Sequence, residues 1–188
     1  MNLDVQINKL ITSELNNYEI MGIEGISAKV YFNRIFKDFE WNGRQPRVKR
    51  DKINLLMDIG YTMLFNYIEA ILNIYGFDIY KGNLHKEFYK RKSLVCDMIE
   101  PFRPIVDYKI RKCINLRQLD NYKYTVDNGQ YHIDWKDGAN FMLLILEAIN
   151  EYKKEIFEYI QQYYRWIMKE KEMCDFQWVV LTNDTDKL

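Results

Sequence analysis

Apolar side chains recur every three or four residues through most of this chain, the spacing that lines them along one face of a helix. The first series, Leu3, Ile7, Leu10, Ile11 and Leu15, predicts a short amphipathic docking helix within residues 1–17 that ends near Asn16 and Asn17. A second helix is expected over Ile20–Phe36, where Gly22, Gly25 and Ala28 put small residues on one stripe that another backbone can approach closely, with Glu24 beside it. After a loop at Trp41–Pro46, the positions Ile53, Met57, Gly60 or Tyr61, Leu64, Ile68 and Ile71 keep the helical period, and Gly76 stands near its end. This is the expected central helix.

Residues 77–92 are irregular and basic. Ser93 can cap a short apolar helix that Pro101 must kink or stop around Glu100, and Pro104 can open the next helix at its first position, running to about Leu116. The pattern then changes. Lys123–Val126 and Gln130–Ile133 flank Asp127-Asn128-Gly129, residue types that accept the positive φ of a hairpin turn. From Gly138 to about Lys171, Met142, Ile145, Leu146, Ile149, Tyr152, Ile156, Ile160, Tyr163 and Ile167 return to helical spacing and predict the longest helix of the chain. Residues 177–188 are a tail, either a strand or disordered. The expected fold class is mainly α: a single helical domain over residues 1–188 with a small β-hairpin.

Composition agrees with that pattern. At 48% apolar and 15% aromatic residues the chain has material for one real core, while 8 Gly and 3 Pro are too few for the frequent turns of a sandwich or barrel. Cys96, Cys113 and Cys174 are odd in number and widely spaced, which argues against a disulfide framework or a thiolate zinc site and fits a reducing cytosol. The N-terminal stretch lacks a basic flank and an uninterrupted apolar run, and the longest apolar run, Phe141–Leu146, is too short to span a bilayer. The expectation is a cytoplasmic protein, neither exported nor in a membrane.

Charge adds a second pattern. The chain carries 27 basic and 27 acidic side chains, yet residues 44–52, 81–92 and 103–117 together hold 15 of the basic and only 3 of the acidic groups. Two readings stand: a basic face that holds phosphates on an otherwise acidic molecule, or three unrelated solvated surfaces.

Asp97 and Glu100 lie three apart, so on one helix their carboxylates share a face and repel. A divalent cation or a basic side chain such as Arg103 would offset that repulsion, although such a pair is most often just a solvated helix face. His85 stands in the glycine-containing basic loop KGNLHKEF, where it is either a ligand or surface decoration. His132 falls in the expected hairpin and forms no cluster with Asp127 or Asp134.

Taken in order, EGISAKVYF (24–32), RDKINLLMDIGYTML (50–64), GFDIYKGNLH (76–85) and SLVCDMIEPFRPIVD (93–107) resemble the catalytic helical domain of the CRISPR-associated integrases. That family has a glutamate followed by glycine and small residues, a helix with an asparagine and a Gly-Tyr pair, a Gly-x-Leu-His loop, and an acidic segment ending in Pro-Phe-Arg-Pro. The likeness covers about residues 20–118. It implies a metal-dependent DNA integrase and endonuclease, with Glu24, His85 and Glu100 as catalytic metal ligands and Asp97 as the neighbouring catalytic acid that supports them. Two carboxylates and an imidazole suit Mg²⁺ or Mn²⁺, the nitrogen tilting preference toward Mn²⁺.

The implied reaction is transesterification: the 3′-hydroxyl of a short DNA fragment attacks a CRISPR repeat border and inserts the fragment as a spacer, and nuclease activity on branched DNA would use the same site. No ATP is needed, and the chain has no Gly-x-x-x-x-Gly-Lys phosphate loop. Arg44, Arg47, Arg50, Lys90, Arg91, Lys92 and Arg103 flank the ligand-bearing blocks and would contact the phosphate backbone. Asn54 matches the family's helix asparagine, as a buried capping amide or as a substrate contact. The implied partners are double-stranded DNA (spacer fragment and repeat) and further copies of the chain, since insertion on two strands needs two active sites.

One departure is plain. Most relatives carry an N-terminal β domain before the catalytic glutamate, whereas only 23 residues precede Glu24 here. The expectation is either a trimmed chain or a compact form without that domain, and some compact relatives lack the usual small ferredoxin-like partner subunit, so that partner stays open. Two rival readings also stay open: a stand-alone nuclease or transposon integrase of the same superfamily, and a non-catalytic DNA-binding scaffold in which Glu24, Asp97 and Glu100 pair with arginines.

Overall fold

The computed structural model describes residues 16–39, 41, 43–85 and 88–169. The expected docking helix, except its last residues, and the tail at 177–188 lie outside the described residues. The fold is mainly α with one small hairpin: α1 (Asn17–Ile35), α2 (Lys52–Ile74), α3 (Ser93–Ile99), a 3-10 turn (Glu100–Phe102), α4 (Arg103–Asn115), β1 (Tyr124–Asp127), β2 (Gln130–Ile133), α5 (Trp135–Glu151) and α6 (Lys153–Ile167). By packing the described residues fall into two compact units, those up to 61 with 106–144 and those of 62–105 with 145–169.

In the first unit α1 begins earlier than the periodicity predicts. Asn16 Oδ1 accepts the N–H groups of Tyr18 (3.0 Å) and Glu19 (3.1 Å), while Glu19 Oε2 accepts the N–H of Asn16 (3.0 Å). This capping box satisfies donors that a helix start leaves open, so the asparagines begin α1. Gly22 and Gly25 are exposed, and a Cβ at either would meet nothing within 4 Å, so the close approach expected on that stripe is not found among the described residues.

The loop before α2 is tied down by Asn54, which is fully buried. Its Oδ1 accepts from Arg44 Nη1 (3.0 Å) and the Gln45 N–H (2.8 Å), and its Nδ2 donates to Gly43 O (3.0 Å) and Asp51 Oδ2 (2.6 Å). Every capacity of the amide is used within the protein, which settles Asn54 as a packing amide. The helix ends as its sequence predicts: Gly76 takes φ +76°, and the N–H groups of Gly76 and Phe77 return to Asn73 O (3.0 Å) and Leu72 O (3.1 Å), a Schellman closure. At 23 residues α2 is long and apolar enough to cross a membrane, and half of that stretch is buried in the protein.

The hairpin follows its turn chemistry. Tyr124 pairs with Ile133 and Asp127 with Gln130, leaving Asn128 and Gly129 as a two-residue turn with φ of 49° and 75°. Both positive angles define the turn whose twist suits paired strands.

Two expectations in the second half need correction. Ser93 does not cap α3: Lys92 holds the cap position without a side-chain bond, and Ser93 is the fully buried first helical residue. The long helix expected from Gly138 to Lys171 is two helices broken at Tyr152, whose N–H bonds to Ile149 O (3.1 Å), three residues back. No Gly or Pro marks the break. The buried series keeps its spacing across the break: Phe141, Ile145 and Ile149, then Ile156, Ile160 and Tyr163, are buried while Met142, Leu146 and Ile167 are exposed. The longest described helix is therefore α2.

The first unit also buries an acid. Asp107, 1% exposed, accepts from the Tyr31 hydroxyl (3.2 Å) and from the Tyr61 hydroxyl. Burial, then the charge of Asp107 and its hydrogen bond, push the Tyr31 hydroxyl far above its ordinary value of 10. Burial, then Tyr122 and Asp137, push Tyr124 up to about 12. A raised folded-state value keeps the stabilisation intact below the unfolded value of 10 and removes it as pH rises beyond, because only the unfolded chain releases those protons. Urea unfolding should therefore give a nearly constant contribution from these tyrosines up to pH 10 and a falling one from pH 10 to 12, with a shallower fall in Tyr31→Phe. Identical slopes in parent and variant would refute the assignment.

Candidate functional site

In the second unit Ile79 lies against the start of α3, where the Leu94 N–H donates to Ile79 O (3.0 Å). Asp97, one turn into that helix, organises the loop. Its Oδ2 accepts the N–H groups of Asn83 (2.5 Å) and Leu84 (3.1 Å), and its Oδ1 accepts the N–H of His85 (3.2 Å) and meets His85 Nδ1 at 2.5 Å. Three successive backbone donors on one carboxylate fix the loop, and the fourth contact fixes the ring. With Nδ1 turned to the acid, the neutral imidazole carries its proton there and keeps the Nε2 lone pair for a ligand, the arrangement of a metal-binding histidine backed by a carboxylate. The side chains of His85 and Asp97 are only 11% and 8% exposed.

Two further residues hold this loop. Asn83 Nδ2 donates to the Tyr163 hydroxyl on α6 (2.9 Å). Burial raises the Tyr163 hydroxyl above its ordinary value, with the Asn83 bond working against the shift and the nearby Asp97 charge adding to it. Gly82 packs so tightly that a Cβ there would lie 2.8 Å from each of Asp97 Oδ2, His85 O and Ser93 Cβ. Sequence reasoning misses Asn83 and Tyr163 altogether. Tyr163 looks like any other member of a helical core stripe, and only its hydroxyl partner separates it from them.

Glu100 opens the 3-10 turn after α3, and Arg103 Nη1 donates to both of its oxygens (2.9 and 3.0 Å). Asp97 and Glu100 thus have separate partners, and a basic side chain offsets the charge of Glu100. Glu24 is half-buried on α1 in the first unit. The structure therefore brings His85 onto Asp97 and Glu100 onto Arg103, and among the described residues it forms no group of three His, Cys, Asp or Glu side chains able to hold a metal ion.

The expected phosphate contacts divide by their surroundings. Arg44 is turned inward, its Nη2 on Asp58 Oδ1 (2.6 Å), its Nη1 on Asn54 and its guanidinium over the Tyr61 ring, so its charge is already committed. Lys92 is likewise held by Glu69 (2.6 Å) and Arg103 by Glu100. Arg47, Arg50, Lys90 and Arg91 are exposed. Charge counting along a sequence does not see which cations have acids folded against them.

The family model for CRISPR associated protein Cas1 matches residues 3–143. The CRISPR-associated endonuclease Cas1 of Leptospira interrogans is 38% identical over 108 residues, 53% of this chain and 42% of that protein. CRISPR-associated endonuclease Cas1 3 of Thermus thermophilus is 32% identical over 133 residues, 69% of this chain and 37% of that protein. The chain thus spans well under half of the length of these relatives. Among solved structures, a casposase bound to integration product superposes with a TM-score of 0.83 at 19% identity, covering 99% of this chain and 59% of that one, a likeness of fold.

Proposed function

We propose, from the premise that the chain belongs to the CRISPR-associated Cas1 family, that it supplies the catalytic helical part of a divalent-metal-dependent DNA integrase. The observation that carries the reading is the His85 ring, held by Asp97 on Nδ1; Nε2 would then be the ligating nitrogen. His85, Glu24 and Glu100 would hold Mg²⁺ or Mn²⁺, with Glu100 exchanging Arg103 for the cation. The bound ion supplies charge stabilisation at the scissile phosphate and helps align the attacking and departing oxygens.

The chain's own groups position the DNA. Arg47, Arg50, Lys90 and Arg91, exposed and basic, neutralise backbone phosphates without reading sequence. In the step itself a DNA 3′-oxygen bonds to phosphorus as the repeat strand's own 3′-oxygen leaves and takes up a proton. One phosphodiester replaces another, so no ATP is consumed. Water in place of the 3′-hydroxyl gives endonuclease cleavage. Insertion on both strands calls for two copies of the site, hence a homo-oligomer on double-stranded DNA, with or without a small ferredoxin-like subunit, in the prokaryotic cytoplasm.

The Glu100–Arg103 pair favours a second reading, a DNA-binding scaffold whose acids only balance arginines. Metal dependence separates the two. Full-length chain is incubated with a 3′-hydroxyl duplex and a repeat-bearing plasmid in Mn²⁺ or Mg²⁺, and in parallel with a chelator. Joined product is expected only with the metal. Plasmid binding with no joining under either condition would overturn the integrase reading in favour of the scaffold.

A further inference from the structure

The hairpin takes no part in the proposed chemistry, and its two outer edges differ. In an antiparallel pair, facing residues alternate between those that bond to each other and those whose N–H and C=O point outward. On β2 the Tyr131 N–H points outward and donates to Lys49 O in the basic loop (2.8 Å). Its facing residue Val126 on β1, and Tyr124 two positions before it, therefore turn their N–H and C=O to the opposite edge. Among the described residues the sheet has two strands, and nothing bonds to those outer groups of Tyr124 and Val126. Lys123, Thr125, Val126 and Asp127 are exposed, Val126 by 60%. An open edge is a template for a further strand, and a two-stranded hairpin by itself is only marginally stable.

The sequence of β1 fits one such strand in particular, a second copy of itself. Antiparallel pairing about a two-fold axis through Thr125 sets Tyr124 of one copy against Val126 of the other, the register in which the outward groups meet and exchange both bonds. The same register sets Lys123 against Asp127 at both ends, and neither makes an ion pair among the described residues. An aromatic ring beside a β-branched residue and opposite charges face to face both favour a sheet. A shift of two residues would part the charges, and a parallel arrangement would set like charges side by side. We propose that two copies of the chain join through β1 into a four-stranded antiparallel sheet in the order β2-β1-β1-β2. The proposal rests on the reading that insertion on both strands takes two copies of the site, and it adds where the copies meet.

The test uses full-length chain, alone and with a DNA duplex. Thr125 lies on the axis, where facing residues that do not bond to each other stand about 4.5 Å apart at Cα, within reach of a disulfide. In a Cys96→Ser/Cys174→Ser background, which leaves only the buried Cys113, Thr125→Cys should bridge two copies on mild oxidation. Gln130→Cys, exposed on the outer strand, should not. Charge reversal gives a second readout, by sedimentation velocity. Asp127→Lys and Lys123→Asp should each weaken self-association roughly tenfold or more, since each sets like charges opposite at both ends. An equal mixture of the two should associate as the parent does, because every facing pair is then opposite in sign again. Both side chains are exposed, so the variants are expected to fold, which circular dichroism checks. Copies that associate without a bridge in Thr125→Cys, or a mixture no tighter than either variant alone, would overturn the pairing while leaving a two-copy enzyme. A parent that stays single with and without DNA would overturn the pairing and the two-copy reading together.

Discussion

His85→Ala is expected to lower strand joining by full-length chain roughly 100-fold or more, with a much smaller change in thermal stability. The asymmetry comes from how Asp97 is used. Its carboxylate keeps the three backbone N–H bonds from residues 83–85 after the ring is removed, so the loop retains most of its ties. What disappears is the ring whose Nδ1 Asp97 holds, and with it the Nε2 proposed as the ligating nitrogen. Asp97→Asn should act differently, since an amide cannot accept from all four donors and turns its own N–H groups toward some of them. Activity should fall about 10–100-fold, and stability should drop as well. Mn²⁺ affinity measured by electron paramagnetic resonance gives a readout independent of turnover, and it should weaken in both variants. A His85→Ala protein that joins strands and binds Mn²⁺ like the parent would end the assignment of the imidazole.

Gly82→Ala is expected to be nearly as damaging, although the residue carries no chemistry. The added methyl would fall 2.8 Å from a backbone carbonyl, a carboxylate oxygen and the Cβ of a buried serine. None of these is the loose end of a side chain. The carboxylate is pinned by backbone donors, and Ser93 is built into the first turn of α3. The loop must open, which separates Asn83 and Leu84 from Asp97 and lets the ring swing away. Overpacking of this kind costs about 1–3 kcal/mol. For a chain of this size that corresponds to a drop in Tm of roughly 2–10 °C. Gly22→Ala is the matched control: it sits in the interior of α1 with nothing within 4 Å of the new Cβ, so it should stabilise by about 0.5–1 kcal/mol. Differential scanning calorimetry of both variants, read beside the joining assay, decides the matter. An unchanged Tm and activity in Gly82→Ala would show that the loop has slack this packing denies.

How far the fold was legible depended on whether the signal was local. The hairpin was readable because Asn128-Gly129 can take two positive φ angles where most pairs cannot, and the end of α2 because Gly76 permits the left-handed closure. The capping box at Asn16 is also written in the chain, but it lies where one apolar series runs toward another, so periodicity alone does not tell a helix start from a helix end there. The break at Tyr152 had no such mark. Its neighbours keep one helical period across it, so the spacing of apolar residues gives no sign of it.

The residues of the candidate site divide the same way. The sequence by itself determined the helical class, the hairpin, the basic segments and the four ordered blocks that carry the family, because periodicity, turn chemistry and residue identity are properties of neighbours along the chain. Only the tertiary structure decided that Arg44 balances Asp58, that Lys92 balances Glu69, that Asp97 serves the His85 loop and that Gly82 must lack a side chain. Each of these depends on at least one contact between residues ten or more positions apart, whose energy depends on distance and burial, and neither quantity exists until the chain has folded.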